Sequence, residues 1–250
     1  MGLGVGASRT RGLAAVSGAG ELIGSDLGLV ARWSVEHVAG GAADFHAREP
    51  DPDHGRIASW YTIEHAAIAL GSAQPADTID QAMCERLGIE VVRRRSGGGS
   101  VLLLPGEMLW LDVIIPRSDP LWDDDIGRSM WWLGETWARS LRSLGQSDVA
   151  VHHGPLVASS WSVNVCFDGI GAGEVMVRGA KAVGISQRRT RHWARLQSAV
   201  HIVWRPDVMA SLLAVPRPAA ADLRAVWSVL PAVDPRALVD AVVAALEDQE

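Results

Sequence analysis

Ile89-Glu-Val-Val-Arg-Arg-Arg-Ser-Gly-Gly-Gly99 decides the fold class, because a β-branched run enters a triple-glycine turn and a second apolar run, Val101-Leu-Leu-Leu104, leaves it. The order is strand, turn, strand. No Gly-Lys-Ser/Thr ending follows, so the turn is not a Walker loop, and no helical pattern follows, so it is not a dinucleotide fingerprint. Three adjacent glycines let backbone amides approach a ligand without side-chain interference and can form an anion or carbonyl nest. A plain flexible turn with solvated arginines is the competing reading.

Working outward, residues 109–115 predict a partner strand for 101–104, joined through Pro105-Gly106. Upstream, 56–63 and 66–70 read as strands, and Ile79, Met83 and Leu87 predict a short helix closing at Gly88. Val35, Val38, Ala39, Ala42 and Phe45 recur at helical spacing and predict a helix before the sheet. Downstream, Ile126, Met130, Leu133, Trp137, Leu141 and Leu144 form one apolar stripe, with Asp123 to Asp125 as solvated caps at its start. From Trp161 to Phe167, Glu174 to Val177, Lys181 to Gln187 and Leu196 to Trp204 the pattern returns to strand. Leu238, Val239, Val242, Val243 and Leu246 predict a last helix. The sum is α+β, with a mixed, largely antiparallel sheet flanked by helices. Residues 1–20 read as a flexible tail, 21–215 as the main domain and 216–250 as a helical extension.

The totals narrow the function classes. With 250 residues and 48% hydrophobic residues the chain can bury a substantial core. A net charge of −6 argues against a general nucleic-acid partner. The most apolar stretch, Val101 to Pro116, is broken by Pro105, Gly106, Glu107 and Asp112, and no membrane span is expected. Cys84 and Cys166 are too few for a disulfide framework and lie in no Cys-x-x-Cys pair, so a reducing cytoplasm is the expected setting and no metal site is predicted.

Among 23 basic residues, Lys181 is the one lysine. Its compact ammonium suits a point-charge contact to a carbonyl or phosphate oxygen, which a planar guanidinium does not imitate. Cys166, in Val163-Asn-Val-Cys-Phe-Asp168, is a small buried hydrophobe unless an ammonium stands beside it, when its thiolate becomes a nucleophile. Gly169, Gly171 and Gly173 permit the reversal that would bring Lys181 there. Gly184 leaves room for a substrate along the backbone, and Ser186 and Gln187 can donate hydrogen bonds; an ordinary half-buried strand is the alternative. Cys84 is assigned to packing.

Together these segments resemble the lipoate protein ligase and octanoyltransferase family, part of the group that includes biotin protein ligases. Arg93 to Gly99 is similar to that family's Arg-Arg-x-Ser/Thr-Gly-Gly-Gly loop, and Gly179 to Gln187 to its Gly-x-Lys-x-x-Gly-x-x-Gln signature. Cys166-Phe-Asp168, followed by Glu174-Val-Met-Val177 and the lysine, looks most like the cysteine-dependent octanoyltransferase branch. The resemblance covers residues from about 30 to 215. It departs at Leu102-Leu-Leu-Pro-Gly-Glu107 and Leu196-Gln-Ser-Ala199, where many members carry histidines, and at Gly173-Glu174, where the ATP-using ligases carry Asn and Asp.

The resemblance implies a biotin/lipoate protein ligase-like domain that attaches octanoyl or lipoyl groups to a lysine of lipoyl carrier domains. Catalytic roles fall to Cys166, as a thioester, and Lys181, at the acyl carbonyl. Arg94, Arg95, Ser96, Gly97, Gly98, Gly99, Gly184, Ser186 and Gln187 are the implied substrate-binding residues. No tightly bound cofactor is expected, and ATP and Mg enter only if the chain is an ATP-dependent ligase working through lipoyl-adenylate. The implied partners are the glycine cleavage H protein or the E2 of 2-oxoacid dehydrogenases, and acyl carrier protein as a donor. A lapsed enzyme that only binds a lipoyl domain or an acyl ligand is the third reading, motivated by the absent histidines.

Overall fold

Arg56–Ile63 and Met108–Pro116 are largely buried, and they form adjacent interior strands of a seven-stranded sheet in the computed structural model, which describes residues 32–51 and 55–249. The tail expected at 1–20 lies outside the described residues. In chain order the strands are β1 (Trp33–Gly40), β2 (Arg56–Ile63), β3 (Ala67–Leu70), β4 (Glu90–Arg93), β5 (Val101–Leu103), β6 (Met108–Pro116), β7 (Val149–Val151), β8 (Val175–Val177), β9 (Ala180–Arg189) and β10 (Trp193–His201). The large sheet runs β1-β2-β6-β10-β9-β8-β7, and among these pairs β1–β2 is parallel and the others antiparallel. A smaller sheet runs β4-β3-β5. The mixed, largely antiparallel α+β architecture is as expected.

Helices α1 (Ala42–Ala47), α2 (Gln81–Leu87), α3 (Trp131–Ser143), α4 (Pro206–Ser211) and α5 (Pro235–Glu247) complete the elements. On one face of the large sheet, Leu133, Trp137 and Leu141 of α3 share a core with Leu238, Val242 and Leu246 of α5, all six wholly buried. Residues from the C-terminal segment therefore complete the main core. The opposite face of the sheet meets β3 and β5 across a second core containing Phe45, Ala67, Leu103 and Trp110.

Four local expectations change. Residues 33–40 form a strand rather than the start of a helix, and only Ala42–Ala47 is helical. Pairing of β1 along β2 outweighs the helical spacing, and Gly40-Gly41 separates the two elements. β5 and β6 are strands but do not pair: β5 joins β3 and β6 joins β2 and β10, so Pro105-Gly106 crosses between sheets. The α3 helix begins at Trp131, after a 3-10 turn at Arg128–Met130, because Asp125 caps the amides of Gly127 and Arg128 before it and leaves Ile126 exposed. Residues 161–167 form turns instead of a strand. There the Ser159 hydroxyl accepts from the amides of Trp161 and Ser162, and the amides of Asn164 and Val165 bond Trp161 O, so local bonds displace ladder pairing.

Candidate active site

The glycine turn is built to lie against other backbone. A Cβ on Gly71 would stand 1.8 Å from the Gly98 carbonyl oxygen, and Gly98 itself has φ +98°, a conformation that disfavours any side chain. The turn is then stitched to the cysteine segment: Ser100 N donates to Asn164 O at 2.8 Å and Cys166 N donates to Ser100 O at 3.0 Å. A Cβ on Gly98 would lie 3.7 Å from Cys166 Sγ, so the thiol sits directly under the turn. Cys166 opens a 3-10 turn, Cys166–Asp168, and Asp168 is fixed by accepting from Arg224 N at 2.6 Å and from the Ser159 hydroxyl.

Between the two sheets lies a narrow, overwhelmingly apolar cavity of about 40 Å³ that is open to solvent. Ala69, Val101 and Leu103 of the small sheet form one wall and Trp110, Ala199 and Gly184 of the large sheet the other. Cys166 and Phe167 line it, as do Arg94, Ser186 and Gln197.

The predicted site residues are distributed unevenly around this cavity. Arg94, 5% exposed, donates to Ser96 Oγ at 3.1 Å, to Ser186 Oγ at 3.1 Å and to Gly99 O at 2.8 Å, while its Nε has no partner among the described residues. Ser96 in turn bonds Gln197 and receives the Ser186 hydroxyl, so Arg94, Ser96 and Ser186 form one network at the wall. The amides of Gly97, Gly98 and Gly99 make no hydrogen bond among the described residues. Arg95 turns outward to an exposed ion pair with Glu49. Gln187 faces the entry to α3, where it donates to Ile126 O and accepts from Ser129 Oγ at 3.1 Å.

Lys181 comes to the cysteine by its carbonyl. The ammonium, 3% exposed, donates to Cys166 O at 2.9 Å and Gly169 O at 2.9 Å and pairs with Glu174 Oε2 at 2.6 Å, which uses all three of its donors. Glu174 is held by Gly171 N at 2.6 Å and Ile185 N at 3.1 Å. Lys181 lies outside the cavity lining, although its Cε would be 3.4 Å from a Cβ at Gly184, which is in it.

Sequence reasoning missed Glu174 as a partner, Gln197 as a wall residue and two buried histidines. His46 lines the cavity against Trp110, and His201 packs on Phe167. Burial, with Arg195 and Arg94 nearby, lowers the His46 pKa to about 3; burial, with Lys181 nearby, lowers that of His201 to about 3. Both imidazoles are neutral. For His46 the available signal was a lone histidine on an apolar helical face, and for His201 a lone histidine in an apolar strand, and neither pattern points to a cavity. Among the described residues no three His, Cys, Asp or Glu side chains converge as a metal site, and Asp123 is engaged with Arg128.

Residues 45–246 match the family described as lipoyl protein ligase A/B catalytic domain, and the chain belongs to that family. It is similar to two octanoyltransferases named LipM. The one from Clostridioides difficile is 28% identical over 131 residues, 52% of this chain and 48% of that protein. The one from Carboxydothermus hydrogenoformans is 26% identical over 164 residues, 64% of this chain and 59% of that protein. The match thus spans less than two thirds of either relative. In fold, the chain resembles a lipoate-protein ligase A bound with ATP, with TM-score 0.64 and 23% identity over 86% of this chain and 83% of that one. It also resembles a bipartite lipoate protein ligase from Thermoplasma acidophilum, solved in a study of that ligase and its E2 lipoyl domain, with TM-score 0.61 and 18% identity over 85% and 81% of the two chains. The fold is that of the lipoate protein ligases.

Proposed function

We propose that the chain is an acyltransferase of protein lipoylation that carries an octanoyl group on Cys166 and passes it to a lysine of a lipoyl carrier domain. The observation that carries this reading is the thiol itself, which borders an apolar cavity directly beneath the glycine turn. In the first step the Cys166 thiol gives up its proton as its sulfur attacks the thioester carbonyl of an acylated carrier protein, and the carrier's sulfur leaves and takes up that proton as a thiol. In the second the amine of the acceptor lysine attacks the Cys166 thioester, giving the amide and returning the thiol. Both steps place negative charge on the carbonyl oxygen, and the free amides of the glycine turn are preorganised donors for it. Lys181 fixes the carbonyls on either side of the cysteine turn, and exchanging its bond to Cys166 O for one to the acyl carbonyl would bring its charge to the reacting group. Lipoyl domains of E2 type or the glycine cleavage H protein are the proposed acceptors, and acyl carrier protein the proposed donor.

Incubation with octanoyl-carrier protein is expected to add one octanoyl mass to the chain, read by intact mass spectrometry, and Cys166→Ala is expected to abolish it. Absence of the adduct in the unsubstituted chain would remove this mechanism. One observation favours a second reading, an ATP-dependent ligase: Arg94 is a buried guanidinium with no carboxylate partner among the described residues, beside free amides, a setting that suits a phosphate. Lipoate-dependent release of pyrophosphate from ATP that survives Cys166→Ala is its signature.

A further inference from the structure

Strand spacing sets the length of one wall of the cavity. Ala199 on β10 pairs with Trp110 on β6 and with Gly184 on β9, so the three share one face in a row across the sheet. Two strand spacings make that row about 10 Å long. At one end Phe167 lies against Gly184, where a Cβ would be 3.2 Å from its ring, and Cys166 is its neighbour in the chain. At the other end the His46 ring sits on Trp110, with centroids 4.7 Å apart. An extended chain advances roughly 1.2 Å per bond, from the span of about 3.5 Å over the three bonds of a peptide unit, so an eight-carbon acyl group reaches about 8 Å from its carbonyl carbon. The row and the chain agree in length.

What lies beyond His46 makes the agreement informative. The same ring also lines a separate outer groove, together with Ala43, Ala47, Val92 and Arg95. One imidazole therefore stands between the apolar cavity and a second open space. It is 7% exposed, and its Nε2 has no hydrogen-bond partner among the described residues, so the ring is placed as a wall and not as a polar contact. We infer that His46 is the stop that limits the acyl chain to about eight carbons. This rests on the acyl-transfer reading above and names the feature that sets its substrate. Removing the ring joins the cavity to the groove and admits longer chains; enlarging it shortens the cavity.

The test is a competition among hexanoyl-, octanoyl-, decanoyl- and dodecanoyl-carrier proteins, with transfer to a lipoyl domain followed by intact mass. The unsubstituted chain is expected to prefer octanoyl. His46→Ala is expected to raise the dodecanoyl-to-octanoyl ratio of kcat/KM by about tenfold or more, the lower end of what one methylene contributes in a fitted apolar pocket. His46→Trp is expected to shift preference to hexanoyl, and it carries the test if the alanine variant does not fold. An active wild-type chain whose profile is unchanged in the folded variants overturns the role of His46 and leaves the acyl-transfer reading intact. A wild-type chain that transfers none of the four acyl groups overturns that reading, and the inference with it.

Discussion

Two buried cations flank the cysteine, and they are held in opposite ways. Lys181 has a carboxylate partner and two carbonyl acceptors, so its charge is neutralised inside the protein. Arg94 has only hydroxyls and a carbonyl, no carboxylate among the described residues, and one nitrogen unpartnered beside the cavity. A buried charge without a counter-ion is costly, so a fold that retains one beside a cavity leaves it for an incoming anion or polarised oxygen. The lysine shapes the backbone that carries the thiol, whereas the arginine is open to a ligand.

The strongest way to break this contrast is Glu174→Gln, which leaves the Lys181 ammonium uncompensated. A loss of about 3–5 kcal/mol of stability is expected in denaturant titration, and Glu174→Leu combined with Lys181→Met should recover most of it without restoring acyl transfer. Arg94→Met removes three hydrogen bonds but also relieves the unpaired charge. Its expected cost is smaller, about 1–3 kcal/mol, with a raised KM for the acyl donor as its main signature. A loss equal to that of Glu174→Gln would show that the two cations do the same structural work.

Acid sharpens the contrast through the neutral histidines beside these cations. His46 and His201 have pKa values lowered from 6.5 to about 3, so between those limits the unfolded chain binds protons that the folded chain does not. Stability should therefore fall as pH drops through that window, by up to about 1.4 kcal/mol per pH unit for each histidine. Urea midpoints measured from pH 7 to 4 should show a shallower decline in His201→Gln. The smallest effect belongs to Arg95→Ala: its ion pair with Glu49 is exposed, and the change in stability should stay within about 0.5 kcal/mol.

The lone lysine, the cysteine and the triple glycine were legible because each is a chemically distinctive residue in a short local pattern. Glu174 was legible as the start of a strand and within the motif comparisons but not as the partner of Lys181, since that role arises from the bend that returns β8 onto β9. Gln197 sat in a segment noted for a missing histidine, and cross-strand pairing made it a wall residue. His46 lay within a predicted helix whose first half became an edge strand. The Trp161 to Phe167 stretch misled because apolar residues with β propensity also occupy turns when nearby hydroxyls capture their amides.

By itself the sequence determined the α+β class, the order of most strands, the place of the glycine turn and the identity of the nucleophile candidate, because periodicity, glycine runs and rare residue types are local properties. Only the tertiary structure decided that β5 and β6 belong to different sheets, that Lys181 meets the cysteine through its carbonyl, and that His46 closes the cavity. Those outcomes depend on which strands pair and what packs between the layers, and such contacts join residues far apart in the chain, with no local signal to mark them.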